Sequence, residues 1–317
     1  MMKVYVTQGH EAGIGLEVFL KSCLTFSSDE LTHLHLIAYK KSVLKTLESL
    51  KVPHTLETSG INVGGVFISA TWLTNIKFSE SLDCLNLGMS LAEKGGVLYT
   101  LPTSKDQFRG HAGHTEYFRD VYENAHLGMF FSAPALKVLL LTDHLPVASL
   151  SKYLTEEVIY KRMETAFSTL AAWKWPTDRI IVSGLNPHAG EGGLIGSEDA
   201  RVTTSLRRLK KKYKFDITGP FPGDTMLFEQ RSPKDILVYL YHDQGLGVFK
   251  TAQGFIGSNI TLGLPFPRFS PDHGTSFKLF GQNLADYRGC AYSLREAISM
   301  LKRVSYGKNS SHKSQSP

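Results

Sequence analysis

Three short β-branched runs in this chain each end at a histidine, and a helical pattern separates each from the next. Lys137–Thr142 leads into Asp143-His144, Arg179–Gly184 into Leu185-Asn186-Pro187-His188, and Asp235–Tyr241 into His242-Asp243-Gln244. Strand, helix, strand constrains the fold strongly. A parallel strand can return to its sheet only through a crossover long enough to hold a helix. The same alternation opens the chain. Val4–Thr7 reads as a strand, Gly9 to Gly15 as a turn, and Glu17, Val18, Phe19 and Leu20 as the start of a helix. His35–Tyr39 is a further strand with a basic helix through Lys51 behind it, and Gly96–Thr100 is another. The fold class is therefore α/β with a largely parallel sheet.

Two helices are well marked. Thr155 is an N-cap with Glu156 and Glu157 in the first turn, and Val158, Ile159, Met163, Ala166, Phe167 and Leu170 make one apolar face ahead of Pro176. The second begins near Ser197, carries Glu198 and Asp199 at its positive end and finishes basic through Lys212. The run Arg207-Arg208-Leu209-Lys210-Lys211-Lys212 reads as a solvated helix end. The length of 317 residues suits about two domains. No linker or internal repeat divides the chain, so the domains are expected to interleave in sequence.

Composition narrows the class of function. The net charge of +6 suits a phosphorylated or carboxylated metabolite. No stripe of Arg and aromatics accompanies it, so nucleic acid is not an expected partner. Cys23, Cys84 and Cys290 are far apart and odd in number, which argues against a disulfide scaffold and for a reducing cytoplasm. The most apolar stretch, Ala133 to Leu141, contains Lys137 and is too short to span a bilayer, so no membrane association is expected. From Tyr306 on, the chain is polar and Ser/Lys-rich and reads as a frayed tail.

The strand-end histidines carry the chemistry. In open α/β sheets, ligands bind outside the carboxyl ends of the strands. Three neutral imidazoles with an open coordination position describe a catalytic divalent-metal site, with zinc the first candidate. Taken singly, each of His144, His188 and His242 reads as a capped or solvated loop residue; their shared topological place is what raises the ligand reading beside that one. Spacing alone does not say that they converge, or that one subunit supplies all three.

Other segments add polar groups. Asn186-Pro187-His188-Ala189-Gly190-Glu191-Gly192-Gly193 leads through Gly196 into a helix, so its glycines permit close backbone approach to an anion. Gly9-His10-Glu11-Ala12-Gly13-Ile14-Gly15 lacks the dinucleotide spacing. Asp224, in Gly219-Pro220-Phe221-Pro222-Gly223-Asp224-Thr225, is either an N-cap or a general acid/base. Lys250 follows His242 by two helical turns and can pair with a phosphate or an alkoxide. Asn259 and Arg268 flank an apolar segment, and Arg binds phosphate or carboxylate bidentately. His111-Ala112-Gly113-His114-Thr115-Glu116 is a further candidate anion cradle.

In this order these segments resemble the 4-hydroxythreonine-4-phosphate dehydrogenase family of pyridoxal phosphate biosynthesis. The resemblance rests on Gly113-His114-Thr115-Glu116, the Gly184–Gly193 segment, Gly219-Pro220 with Asp224-Thr225, and Tyr241-His242-Asp243-Gln244-Gly245 with Lys250. It extends through Asn259-Ile260-Thr261-Leu262-Gly263-Leu264-Pro265 with Arg268, and Asp272-His273-Gly274-Thr275. It implies an isocitrate/isopropylmalate dehydrogenase-like fold: two α/β domains with a cleft between them. Residues 1–108 with 258–317 would form the N/C-terminal domain, and 109–257 the central domain with the dimer interface.

The resemblance also implies a homodimer whose active site is shared between subunits, with the metal on His144, His188 and His242. That metal is zinc, or alternatively cobalt, manganese or magnesium. Substrate contacts fall on His114, Thr115, Lys250, Asn259 and Arg268, and acid/base work on Asp224 and Lys250. The cofactor is NAD, with NADP as the alternative, held by Gly190, Gly192, Gly193, Asp272 and His273. The implied reaction is oxidation and decarboxylation of 4-phosphooxy-L-threonine.

The chain departs from the family pattern near its N-terminus. Gly-Asp-Pro-Ala-Gly-Ile-Gly-Pro-Glu becomes Gly9-His10-Glu11-Ala12-Gly13-Ile14-Gly15-Leu16-Glu17, and Ser270-Pro271 precede Asp272. Two alternatives therefore stand beside the main reading. One is a dehydrogenase of 4-phospho-D-threonate or 4-phospho-D-erythronate. The other is a metabolite-binding homologue without turnover.

Overall fold

In the computed structural model, residues 2–108, 110–124 and 126–311 are described. The strands in chain order are β1 (Lys3–Thr7), β2 (Leu34–Tyr39), β3 (His54–Glu57), β4 (Gly60–Val63), β5 (Val66–Leu73), β6 (Gly96–Thr100) and β7 (Gly128–Ser132). They continue with β8 (Lys137–Leu140), β9 (Arg179–Ser183), β10 (Asp216–Phe221), β11 (Ile236–Tyr239), β12 (Ser258–Leu262) and β13 (Arg268–Pro271). The chain forms two compact units. The first comprises residues 1–123, 255–259 and 264–317, and the second 124–254 and 260–263. Both termini thus belong to one unit, and β12 carries the chain from the first to the second.

In the first unit, β1 lies between β2 and β6, parallel to both. β5 extends the sheet parallel to β2, and β13 extends it parallel to β6. β5, β4 and β3 close one edge as an antiparallel meander. That meander was not legible, because His54–Glu57 is mostly exposed and shows no buried alternation. The inner strands read as continuous apolar runs, as doubly covered parallel strands must. Val4, Val6, Leu36, Ile37, Val97 and Leu98 are all buried.

In the second unit the order is β10-β9-β11-β8-β7. β8, β11, β9 and β10 are parallel, and β7 is antiparallel to β8. Helix Glu156–Ala172 has Thr155 as its N-cap, whose side chain accepts from the Val158 amide. It buries Ile159, Met163, Ala166, Phe167 and Leu170, while Val158 at its first turn is only half-buried. Each fully buried apolar side chain of this size stabilises by about 1.5–3 kcal/mol.

Two sequence expectations change. Residues 109–123 sit with the first unit, because Phe118 of helix His114–Val121 is fully buried there beneath Arg268 of β13. The segment from Tyr306 is the end of helix Arg288–Ser311, and residues 312–317 lie outside the described residues. The basic run at 207–212 is the solvated helix end that the sequence suggests, with its cations exposed and facing the neighbouring helix. Arg208 reaches Glu156 at 3.2 Å and Glu157 at 3.3 Å, and Lys212 reaches Glu164 at 2.5 Å. These pairs are exposed and contribute little singly, but they explain why the basic face points toward an acidic one.

Candidate active site

The first unit gathers a hydroxyl, an imidazole and two phenyl rings around Arg268. This side chain is 3% exposed at the start of β13. Its Nε and Nη2 donate to Thr100 Oγ1, at 3.1 Å and 2.5 Å, where β6 ends. The guanidinium lies 5.6 Å from the Phe118 ring centroid, and the His114 ring stacks on the same phenyl, centroids 6.1 Å apart. Phe108 meets His114 edge-on at 4.9 Å.

Burial, and then the Arg268 charge, hold the His114 imidazole well below its usual range, so it is neutral at pH 7. Burial pushes Arg268 down to about 9, which still leaves it charged. His114 and Thr115 are the first two residues of helix His114–Val121. A helix N-terminus beside a buried guanidinium favours a bound anion. Asn259 belongs to the same unit, and its carbonyl accepts from Ser270 Oγ at 3.4 Å. Sequence reasoning missed Thr100, Phe108 and Phe118, since nothing in their local pattern sets them apart from core residues.

Two other loops of the first unit adjoin. The Ile14 amide donates to the Thr275 carbonyl at 3.0 Å, so the Gly9–Gly15 turn packs on the segment after β13. The imidazole of His10 meets Phe277 edge-on at 4.8 Å. Asp272 and His273 are half-buried in that segment, and His273 Nδ1 contacts the Gly274 carbonyl at 3.0 Å.

The second unit gathers strand-end histidines. The rings of His144 and His242 are 5.5 Å apart, centroid to centroid, at 49°. Their strands are locked together just before they emerge. The Leu141 amide donates to Tyr239 O at 2.8 Å, and Thr142 Oγ1 donates to Leu240 O at 2.8 Å. From behind, buried Arg162 donates to Leu141 O at 3.0 Å and to Tyr153 Oη at 2.7 Å. His242 Nδ1 pairs with Asp243 Oδ1 at 2.7 Å, which leaves Nε2 available to a ligand.

His188 stands on a left-handed turn. The φ angles of His188, Ala189, Gly190, Glu191 and Gly192 are 53°, 52°, 78°, 42° and 67°. A run of this kind is costly for residues with a Cβ and survives only where the surroundings enforce it. Asp199 does so: its carboxylate accepts from the Leu185 amide at 2.7 Å, the Asn186 amide at 3.2 Å and Asn186 Nδ2 at 2.9 Å. The sequence marked Asp199 only as a helix-terminal charge. His188 Nδ1 pairs with Glu191 Oε1, which raises its pKa, as does the Asp224 charge after it. No ring contact joins His188 to His144 or His242 among the described residues.

Asp224 is exposed in the turn after β10. It is not an N-cap, because Thr225 occupies that position in front of helix Met226–Glu229 without a side-chain bond. Lys250 is half-buried in helix His242–Gln253. Gly192, Gly193, Ser197, Thr203, Thr204 and Arg207 line a groove of about 500 Å³. Of the five residues expected to hold a cofactor, Gly190, Gly192 and Gly193 therefore belong to the second unit, and Asp272 and His273 to the first.

Comparison with known proteins identifies the family and the fold. The family model described as "Pyridoxal phosphate biosynthetic protein PdxA" matches residues 27–301. A 4-hydroxythreonine-4-phosphate dehydrogenase of Beijerinckia indica is 32% identical over 94% of this chain and 94% of its own length. A protein of Oceanobacillus iheyensis named "Putative D-threonate 4-phosphate dehydrogenase" is 29% identical over 93% of this chain and 96% of its own. The crystal structure of 4-hydroxythreonine-4-phosphate dehydrogenase from Klebsiella pneumoniae superposes with a TM-score of 0.79 at 26% identity, covering 95% of this chain and 98% of that one. The α/β fold is of the isocitrate/isopropylmalate dehydrogenase type, and the chain belongs to the PdxA family of pyridoxal phosphate biosynthetic proteins.

Proposed function

We propose that this protein is an NAD-dependent 4-hydroxythreonine-4-phosphate dehydrogenase. It oxidises the C3 hydroxyl of 4-phosphooxy-L-threonine: a bound nicotinamide would supply the hydride acceptor, and the hydroxyl proton goes to a base. The resulting β-keto acid loses its carboxylate as CO₂ and takes up one proton, giving 3-amino-2-oxopropyl phosphate. The observation that carries the reading is the His144–His242 pair at adjacent strand ends. That donor chemistry fits a divalent metal. One imidazole already has its far nitrogen on a carboxylate, the usual support of a metal-bound histidine.

His144 and His242 would hold the ion together with His188, which a homodimer would supply from the second subunit. Zinc suits imidazole ligands, ahead of cobalt, manganese or magnesium. When bound, the metal supplies a Lewis acid for the developing oxyanion.

The chain's own residues do the rest. Arg268 and the amides at His114 and Thr115 grip the phosphate, with Asn259 and Lys250 completing the substrate contacts. Because His114 is neutral, it donates one N–H without adding a second charge beside Arg268. Remote binding energy of this kind fixes C3 for hydride transfer. Asp224 takes the hydroxyl proton, and Lys250 returns one to carbon after CO₂ leaves. Gly190, Gly192, Gly193, Asp272 and His273 form the NAD contacts, with NADP as the alternative cofactor.

The exposed Leu194 and Phe228, 85% and 86% accessible, support a homodimer formed through the second unit. Among the described residues no helix is long and apolar enough to cross a membrane. The buried free thiols of Cys23, Cys84 and Cys290 support a cytoplasmic site of action.

A second reading is favoured by the Oceanobacillus relative: oxidation of 4-phospho-D-threonate or 4-phospho-D-erythronate. NADH formation by zinc-loaded protein, on 4-phosphooxy-L-threonine and on 4-phospho-D-threonate in parallel, tests both. Turnover on the amino substrate establishes the first reading, and turnover on the threonate alone establishes the second. Silence with both would leave a metabolite-binding homologue.

A further inference from the structure

The ladder between β9 and β11 stops at Val182 and Val238. Beyond it the two strands diverge toward His188 and His242. The side chain of Gln244 continues the pairing where the backbone leaves off. Its Oε1 accepts from the Leu240 amide at 2.9 Å and from Ser183 Oγ at 3.1 Å, and its Nε2 donates to the Gly184 carbonyl at 2.9 Å. The side-chain amide thus stands in for a peptide group between the two strand ends. The Leu240 N–H fixes which end of the amide is oxygen, since it can only donate.

The turn that carries Asp224 closes on the same side chain. A Cβ at Gly223 would come within 2.9 Å of Gln244 Nε2, so the turn packs directly on this side chain. One strand further out, the Gly184 amide donates to Phe221 O at 2.7 Å, which ties the exit of β9 to the exit of β10. Three segments therefore meet at one amide: the strand end leading to His188, the helix start bearing His242, and the Asp224 turn. Gln244 itself is the third residue of helix His242–Gln253, so its position is rigid with respect to His242.

We propose that Gln244 is a positioning residue that anchors the start of the His242 helix to the ends of β9 and β11, fixes the His242 imidazole, and thereby tunes metal affinity. The proposal rests on the metal reading above. Supports behind the ligands of a metal site typically change affinity by about 10–100-fold when removed. Gln244→Leu keeps the volume but removes all three bonds. A control is available in Gln230, whose Nε2 donates to Ala135 O at 2.8 Å and Ser232 O at 3.1 Å elsewhere in the same unit.

The test is titration of full-length apoprotein with Co²⁺, followed by its visible d–d absorption, with thermal unfolding recorded in parallel. Wild type is expected to give a saturable spectrum. Gln244→Leu is expected to weaken Co²⁺ binding about 10–100-fold and shift the bands, while Gln230→Leu lowers Tm but keeps the wild-type affinity and spectrum. Unchanged affinity and bands in Gln244→Leu would overturn the positioning role and leave the metal site standing. Equal losses in both variants would also overturn it, by showing a general structural effect. Failure of wild type to bind Co²⁺ would remove the metal reading and this proposal with it.

Discussion

The carboxylate of Asp199 grips Asn186 twice, at its backbone amide and at its side-chain Nδ2, 3.2 Å and 2.9 Å away. With the Leu185 amide it holds the entry to the left-handed turn that presents His188. Asp199 is 6% exposed and opens helix Asp199–Lys212, where the helix dipole favours its charge. Asp199→Ala would leave three half-buried N–H donors without their carboxylate. It is expected to destabilise the protein by about 3 kcal/mol, read by urea unfolding, and to speed hydrogen exchange across residues 185–193. Wild-type exchange in that segment would mean that the turn is held by something else.

Arg268→Lys is expected to be nearly as damaging as Arg268→Ala. Lysine brings a charge but cannot make both bonds to Thr100 or lie flat over Phe118. Losing a buried bidentate cation from a phosphate costs about 2–4 kcal/mol, which raises KM some 30- to 1000-fold. The contact is remote from C3, so kcat should fall less. Steady-state kinetics with varied substrate check this. An unchanged KM in Arg268→Lys would take the guanidinium out of the phosphate site.

The α/β class and the strand-end placement of His144, His188 and His242 were legible because they depend on local periodicity. So was the Thr155 cap, which depends on one hydroxyl and one amide. Groups that act by long-range contact were not. Thr100 and Arg268 are 168 residues apart in sequence, and nothing near either announces the other. Gln244 and Ser183 are similar, 61 residues apart. Helix His114–Val121 went to the wrong unit for the same reason: its anchor, Phe118, packs on β13, far along the chain. The metal pair was half legible. Topology placed His144 and His242 together, but the left-handed turn at His188 follows from Asp199, and no turn rule reads that from sequence.

Stability is expected to fall on mild acidification. His33, His35, His114 and His126 are all held below the usual imidazole value, with burial the first cause in each. The unfolded chain protonates these groups near pH 6.5, and the folded chain does so only at lower pH. Between those values the unfolded state binds more protons, so stability rises with pH and is lost as pH falls through this window. His188 is shifted the other way but is fully exposed. Depressed carboxylates such as Asp235 and Glu164 enter only below about pH 4.5. Tm should therefore drop between pH 7 and pH 5.5. His35→Gln, which removes a ring held between Ser69 and Thr71, should flatten that drop even if it lowers Tm at pH 7. An equal slope in the variant would exclude His35 as a contributor.

Zinc should raise Tm, and the size of the rise reports how many imidazoles the site uses. A ligand that binds only the folded state stabilises by RT ln(1 + [L]/Kd), about 2.7 kcal/mol at a hundredfold excess over Kd. His144→Ala and His242→Ala each remove half of the pair seen at 5.5 Å, and both should abolish the zinc-dependent shift. His188→Ala should abolish it as well if that imidazole is the third ligand. Two imidazoles left alone make a poor zinc site. If the site is shared in a homodimer, mixing His188→Ala with His242→Ala chains should restore zinc binding in some of the mixed dimers, because each subunit then lacks a different ligand. Retention of stoichiometric zinc by His188→Ala would confine the metal to His144, His242 and neighbouring carboxylates. No recovery on mixing, with both variants folded and dimeric, would argue that one subunit supplies all three histidines.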